Sequence, residues 1–120
     1  MTGGSRGLGK NTVLHLAQKG VDVIFTYRSQ QAEAEAVVSA AEQAGVRAAA
    51  LQLDVADCRA FGGFAAQVQD LLREQWRREQ FDFLVNNAGI GINASFTDTA
   101  ETQFDQLMNI HFKGVFFLTQ

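Results

Sequence analysis

The chain has 120 residues, which bounds it to one domain spanning residues 1–120. Apolar residues make up 47% and charged residues 19%, a globular composition that excludes a disordered chain. The net charge of −3 gives no support for a nucleic-acid partner, and no apolar run approaches the roughly 20 residues needed to span a bilayer.

The first element is a turn, Thr2-Gly3-Gly4-Ser5-Arg6-Gly7-Leu8-Gly9. Glycines at 3, 7 and 9 permit positive φ and present no Cβ to a ligand. The turn runs into an apolar helix, whose free N–H groups and positive dipole end suit a phosphate. On its own the pattern also fits a packing turn without ligand. Such a turn normally follows a buried parallel strand, and here Met1 directly precedes it. No signal-peptide pattern precedes the motif.

A helix is predicted over 7–19, with Val13, Leu16 and Ala17 inward and Gly20 ending it. His15 on this helix reads as a surface or packing residue. Residues 21–27 are predicted as a strand. Ser29 is predicted to cap the next helix, which shows Ala34, Val37, Val38 and Ala41 at helical spacing and closes at Gly45. A strand is predicted over 46–53. Cys58 is the lone cysteine, which excludes an internal disulfide and fits a reducing compartment. A helix is predicted over 61–78, with Phe64, Val68, Leu71, Leu72 and Trp76 on one side. The mixed charges of residues 73–79 read as its solvated face. Residues 81–86 are predicted as a short strand. Asp98 and Glu101 form a predicted capping box for a last helix from about residue 100 to the end. That helix is predicted to face inward with Phe104, Leu107, Met108, Val115 and Phe116.

Alternating helix and strand patterns predict an α/β fold with a parallel, doubly wound sheet. The expected sheet is partial, lacking most of the first strand and everything after Gln120. In the order 3-2-1-4-5-6 the first strand is central, so unpaired edges are expected.

Three further motifs accompany the glycine turn. Asp54-Val55 follows the apolar run 48–53. Asn86-Asn87-Ala88-Gly89 follows Phe83-Leu84-Val85. His111-Phe112-Lys113-Gly114 lies in the last helix. Their order and spacing resemble the short-chain dehydrogenase/reductase family, with its T-G-x-x-x-G-x-G, D-V, N-N-A-G and N-x-x-G elements. The resemblance covers the whole chain. It implies a Rossmann fold that binds NAD(P)(H), in an oxidoreductase. No metal site is expected, and the lone cysteine fits a cytoplasmic protein. The resemblance also implies a small carbonyl or alcohol substrate and a homo-oligomeric full-length parent.

By this resemblance Gly3, Gly7 and Gly9 form the phosphate-binding turn, with Ser5, Arg6 and Leu8 at the intervening contacts. Asp54 accepts from the adenine amino group and Val55 packs on the ring. A turn or cap role is the plain alternative for Asp54. Asn87, Ala88 and Gly89 lie against the cofactor, and Asn86 is structural. The second strand ends Phe25-Thr26-Tyr27-Arg28-Ser29, without the carboxylate that selects NAD. Arg28, with Ser29 beside it and Arg6 in support, therefore favours NADP over NAD, since arginine offers a bidentate fork for phosphate. Both arginines as ordinary surface residues is the alternative.

His111 departs from the family, which carries asparagine three residues before the glycine. There a backbone carbonyl holds a water linked to the catalytic lysine, so His111 is a candidate for that catalytic position, or a packing residue. The family's serine and Tyr-x-x-x-Lys pair are absent. The one tyrosine, Tyr27, is followed four residues on by Gln31. The expected parent function is NADP(H)-dependent hydride transfer, with this chain inactive alone. A non-catalytic nucleotide-binding module and a non-functional gene fragment are the alternatives.

Overall fold

The computed structural model describes all residues, 1–120. Helix α1 spans Gly7–Gln18 and buries Val13 and Ala17. Gly20, at φ +77°, ends it as expected, donating its N–H to Ala17 while Val21 reaches back to Leu16. Strand β1 is Val23–Tyr27, and helix α2 is Gln31–Gln43. Ala34, Val37 and Ala41 are buried on α2, as their spacing predicts. Ser29 does not cap it. Gln30 occupies the cap position without a side-chain bond, because the chain turns one residue later than the Ser29 expectation requires. Strand β2 is Ala48–Gln52, parallel to β1, with Phe25 opposite Ala50. Phe25, Val13, Val23, Ala34 and Val37 form the main core cluster, between the sheet and the α1–α2 layer.

Residues Met1–Gly4 run alongside β1. The Met1 amino group donates to the Ile24 carbonyl at 2.7 Å, and Thr26 N–H donates to the Met1 carbonyl at 3.0 Å. Gly4 N–H then donates to the Thr26 carbonyl at 2.8 Å. On the other side, Thr2 N–H donates to the Val85 carbonyl at 2.9 Å. This is the sole backbone bond made by residues 81–86, so the predicted strand there does not form. A strand needs a ladder, and Thr2 supplies one rung. The sheet accordingly has two strands, β1 and β2.

Helix α3 covers Phe61–Leu71, entered through a 3₁₀ turn at Cys58–Ala60. A wider turn, Leu72–Trp76, follows it, and Arg77 closes the helix at φ +55°. Helix α4 spans Glu101–Met108. A π-type stretch, Asn109–Gly114, joins it to α5, Val115–Thr119. The predicted Asp98 capping box is absent. Ala100 is the cap residue, and its N–H donates to Gln103 Oε1 at 2.9 Å. Asp98 instead bonds Ser95 within its own 3₁₀ turn, Phe96–Asp98.

The inward face of this last helix also differs from expectation. Ile110 and Gly114 are buried, while Phe104, Met108 and Phe116 are exposed. A helical stripe is buried only where an apolar layer faces it. Here the core layer lies under α1 and α2. Thr119 of α5 meets Asn86, and the π-type stretch also reaches the rest of the chain. The stretch does so at close range, since a Cβ on Gly114 would collide with the Val55 carbonyl. Phe81, Phe83, Phe112 and Phe117 are exposed for the same reason.

One polar cluster ties α3's end to the sheet. Asp22 accepts from Trp76 Nε1 at 2.7 Å and from Arg47 Nη2 at 2.7 Å, Nε at 3.0 Å and backbone N at 2.9 Å. The Arg47 guanidinium also lies 5.5 Å from the Trp76 ring centre. Desolvation pushes the Asp22 carboxyl up, but the Arg47 and Trp76 hydrogen bonds together outweigh it and hold it below the ordinary carboxylate value. A carboxyl lowered in the folded state stabilises above its unfolded value and loses that contribution as pH falls through the folded one. Asp22→Asn should therefore cost about 1 kcal/mol at neutral pH, discounted for the half-exposed arginine. The cost should shrink below about pH 4. Denaturant melts of both proteins at pH 7 and pH 3.5 check this. An equal difference at both pH values would contradict it.

Candidate functional site

The glycine turn passes from Met1–Gly4 into α1 with two left-handed residues, Gly3 at φ +69° and Gly7 at φ +56°. Any side chain would strain both positions. Gly9 is a close approach, because a Cβ there would collide with the Gly3 carbonyl and stand 2.7 Å from Asn87 Nδ2. Arg6 is the N-cap of α1, and no side chain caps this end. The first-turn N–H groups of α1 are thus left to an outside acceptor.

Asn86-Asn87-Ala88-Gly89 is clamped onto this turn. Asn87 Nδ2 donates to the carbonyls of Thr2 at 2.9 Å and Gly3 at 3.0 Å. Thr2 Oγ1 accepts in return from the N–H groups of Asn87 and Ala88, both at 3.0 Å. The nitrogen of the Asn87 amide is committed to the turn, which leaves its oxygen for a ligand. Asn86 donates instead to Thr119 Oγ1 at 3.1 Å, away from the turn. Thr26 Oγ1, on a buried side chain of β1, accepts from Gly3 N–H at 3.1 Å.

These elements enclose a cleft of about 430 Å³ at the carboxyl edge of β1 and β2. Gly3, Ser5, Arg6, Gly7, Leu8 and Gly9 form one wall, with Arg28 at the end of β1. Asp54 and Val55, just past β2, form another, and Asn87, Ala88, Gly89 and His111 the third. Ser29 alone among the expected residues is not part of its lining. Asp54 also accepts from Ala56 N–H at 3.0 Å, so the turn role foreseen as its alternative is present too.

Four ion pairs engage Arg47, Arg59, Arg73 and Arg78. Arg6 and Arg28 have no carboxylate partner, and both line the cleft. The Arg28 carbonyl accepts from Gln52 Nε2 at 3.0 Å, which fixes its backbone while leaving the guanidinium free. The cleft thus joins open helix N–H groups, two unpaired cations and a carboxylate on an apolar floor. That donor set fits a dinucleotide: phosphates on the turn and arginines, a purine edge on Asp54. A larger cleft of about 600 Å³ lies between α3 and residues 79–81, lined by Ala65, Val68, Leu72 and Phe81 among others. It gathers no comparable polar set. No group of acidic, histidine and cysteine side chains is placed to hold a metal ion. No helix is long and apolar enough to cross a membrane.

A family model described as short chain dehydrogenase matches residues 1–120. The chain belongs to the short-chain dehydrogenase family. Among curated relatives, a 3-oxoacyl-[acyl-carrier-protein] reductase, FabG, of Staphylococcus aureus is 35% identical over 117 residues, 97% of this chain and 45% of its own length. An oxidoreductase of Methylorubrum extorquens is also 35% identical, over the whole chain and 46% of its own length. Among solved structures, a short chain dehydrogenase from Burkholderia cenocepacia in complex with NADP is 36% identical, with a TM-score of 0.86. The match covers 99% of this chain and 46% of that one. The chain spans about half the length of the curated relatives it matches. As a member of this family it has the expected α/β fold, with helices packed on a parallel sheet.

Sequence reasoning did not single out Thr26 or Ile110, or Thr2 as a hydrogen-bonding group, yet all three position the site. Thr26 carried a signal, a polar residue in an otherwise apolar strand whose hydroxyl must find a partner. Ile110 carried none, because a regular helix places it off the predicted face and only the π-type stretch turns it inward.

Proposed function

We propose that this chain binds NADP(H) in the 430 Å³ cleft and forms the cofactor-binding portion of an oxidoreductase. The reaction would be hydride transfer to or from the carbonyl or alcohol of a small substrate. The observation that carries the reading is the clamp between Asn87 and the glycine turn, which fixes an uncapped helix end beside two unpaired arginines. The NADP complex of the Burkholderia protein and the NADPH complex of a metagenomic blue fluorescent protein, 36% identical with a TM-score of 0.81, support it.

In this reading the α1 N–H groups with Gly3, Ser5, Gly7, Leu8 and Gly9 hold the pyrophosphate. Arg28 and Arg6 hold the 2′-phosphate, with Ser29 near it in sequence. Asp54 and Val55 hold the adenine. Asn87 Oδ1 and the small residues Ala88 and Gly89 face the ribose nearer the nicotinamide. When bound, the cofactor supplies or accepts the hydride. A tyrosine near its usual value of about 10 needs a nearby cation to exchange a proton at neutral pH. Within these 120 residues no Tyr-x-x-x-Lys pair provides it.

We therefore expect binding without turnover. Calorimetry with NADPH should show one site per chain. NADPH absorbance should stay constant over a panel of aldehydes and ketones. Absence of binding at millimolar NADPH would overturn the cofactor assignment, and turnover that survives repurification would overturn the account of catalysis.

A further inference from the structure

His111 is the residue at which this chain leaves the family pattern, and its ring has a defined place. Nε2 lies 2.8 Å from the Ile90 carbonyl oxygen and 3.2 Å from the Ile90 nitrogen. The ring edge sits directly over Gly89, where an added Cβ would stand 2.6 Å from Cε1. Neither polar group of the Ile90 backbone has another partner within the protein. The same π-type stretch carries His111 to this wall and Gly114 to Val55.

We infer that His111 is a positioning residue, a proton-dependent latch that sets the Gly89–Ile90–Gly91 wall of the cleft. One nitrogen faces a donor and an acceptor and serves one at a time. With a proton on Nε2 the ring donates to the Ile90 carbonyl. Without it, the ring accepts from the Ile90 N–H. A cationic ring is held to the first state by a charge-assisted bond. A neutral ring exchanges between the two. An asparagine, by contrast, carries a separate oxygen and nitrogen and satisfies both groups at any pH.

Few other groups on the packed elements compete. Residues 87–91 carry no titratable side chain. The Val55 turn brings Asp54, and the glycine turn brings Arg6. Arg28 and Tyr27 complete the titratable lining of the cleft, and Lys113 lies on His111's own element.

The consequence for cofactor rests on the NADP(H) reading, but the latch itself does not. Both are tested on the 120-residue chain. In the free protein, the His111 ring and the Ile90 amide, followed by NMR from pH 5 to 8.5, should titrate together with one midpoint. An Ile90 amide that ignores the His111 titration would overturn the latch, whatever the cofactor does. With NADPH, wild-type affinity relative to that of His111→Asn should rise several-fold as pH falls, the 2′-phosphate titrating alike in both. His111→Asn should bind within about twofold of wild type at pH 8, and His111→Ala about tenfold more weakly. Equal pH profiles for wild type and His111→Asn would overturn the proposal. So would His111→Ala binding like wild type, or His111→Asn no better than His111→Ala. If no variant binds NADPH while Ile90 still follows His111, the cofactor reading fails and the latch stands.

Discussion

Arg28→Asp is expected to weaken NADP binding tenfold to a hundredfold and to change NAD binding little. Arg28 lines the cleft at the end of β1 with no carboxylate partner, and Gln52 fixes its backbone. A charge-assisted contact to phosphate contributes roughly 1.5–3 kcal/mol, which is that range of affinity. An aspartate at 28 removes the contact and repels the 2′-phosphate. It can also accept from the free 2′-hydroxyl of NAD. Arg6→Ala should act in the same direction but less. High salt should lower the wild-type preference, because screening weakens the exposed phosphate contact most. Paired calorimetric titrations with NADP and NAD check this. An unchanged NADP-to-NAD ratio after Arg28→Asp would return Arg28 to the surface residues.

Gly9→Val should reduce affinity for both cofactors by about tenfold to a hundredfold. A side chain at 9 meets the Gly3 carbonyl and the Asn87 amide nitrogen, the two parts of the clamp. Overpacking of this kind costs about 1–3 kcal/mol, and here it moves the turn that holds the pyrophosphate. The control is Gly62→Ala on α3, where a Cβ meets open space. It should leave binding unchanged and stabilise the exposed helix by up to about 1 kcal/mol. Circular dichroism separates a displaced turn from an unfolded chain. Full affinity in a folded Gly9→Val protein would contradict the clamp.

The elements from α1 to β2 were legible because local and global signals agree there. Gly20 and Gly45 stop helices whose apolar spacing matches the buried residues Val13, Ala17, Ala34, Val37 and Ala41. The cleft was legible for a related reason. The glycine turn begins α1 and Asp54-Val55 follows β2 at the same edge of the sheet, and Asn86-Asn87-Ala88-Gly89 is clamped onto that turn. What failed depends on partners rather than on local pattern. Residues 81–86 have the composition of a strand, but one rung from Thr2 does not make a ladder. Phe104, Met108 and Phe116 have the spacing of a core face, but no apolar layer faces them. The π-type stretch shifted the register and buried Ile110, and nothing in the apolar period announces such a shift. Ser29 and Asp98 were read as caps from residue type alone, and each helix begins one or two residues further on.

The cleft as a dinucleotide site is tested most directly by following backbone amides of the 120-residue chain during addition of NADPH. The account predicts saturable shifts at Gly3, Gly7, Leu8 and Gly9, at Arg28, at Val55, and at Ala88 and Gly89. Ala65, Val68 and Leu72, beside the larger cleft on α3, should not move. Shifts confined to that second cleft, or none at saturating NADPH, would contradict the account.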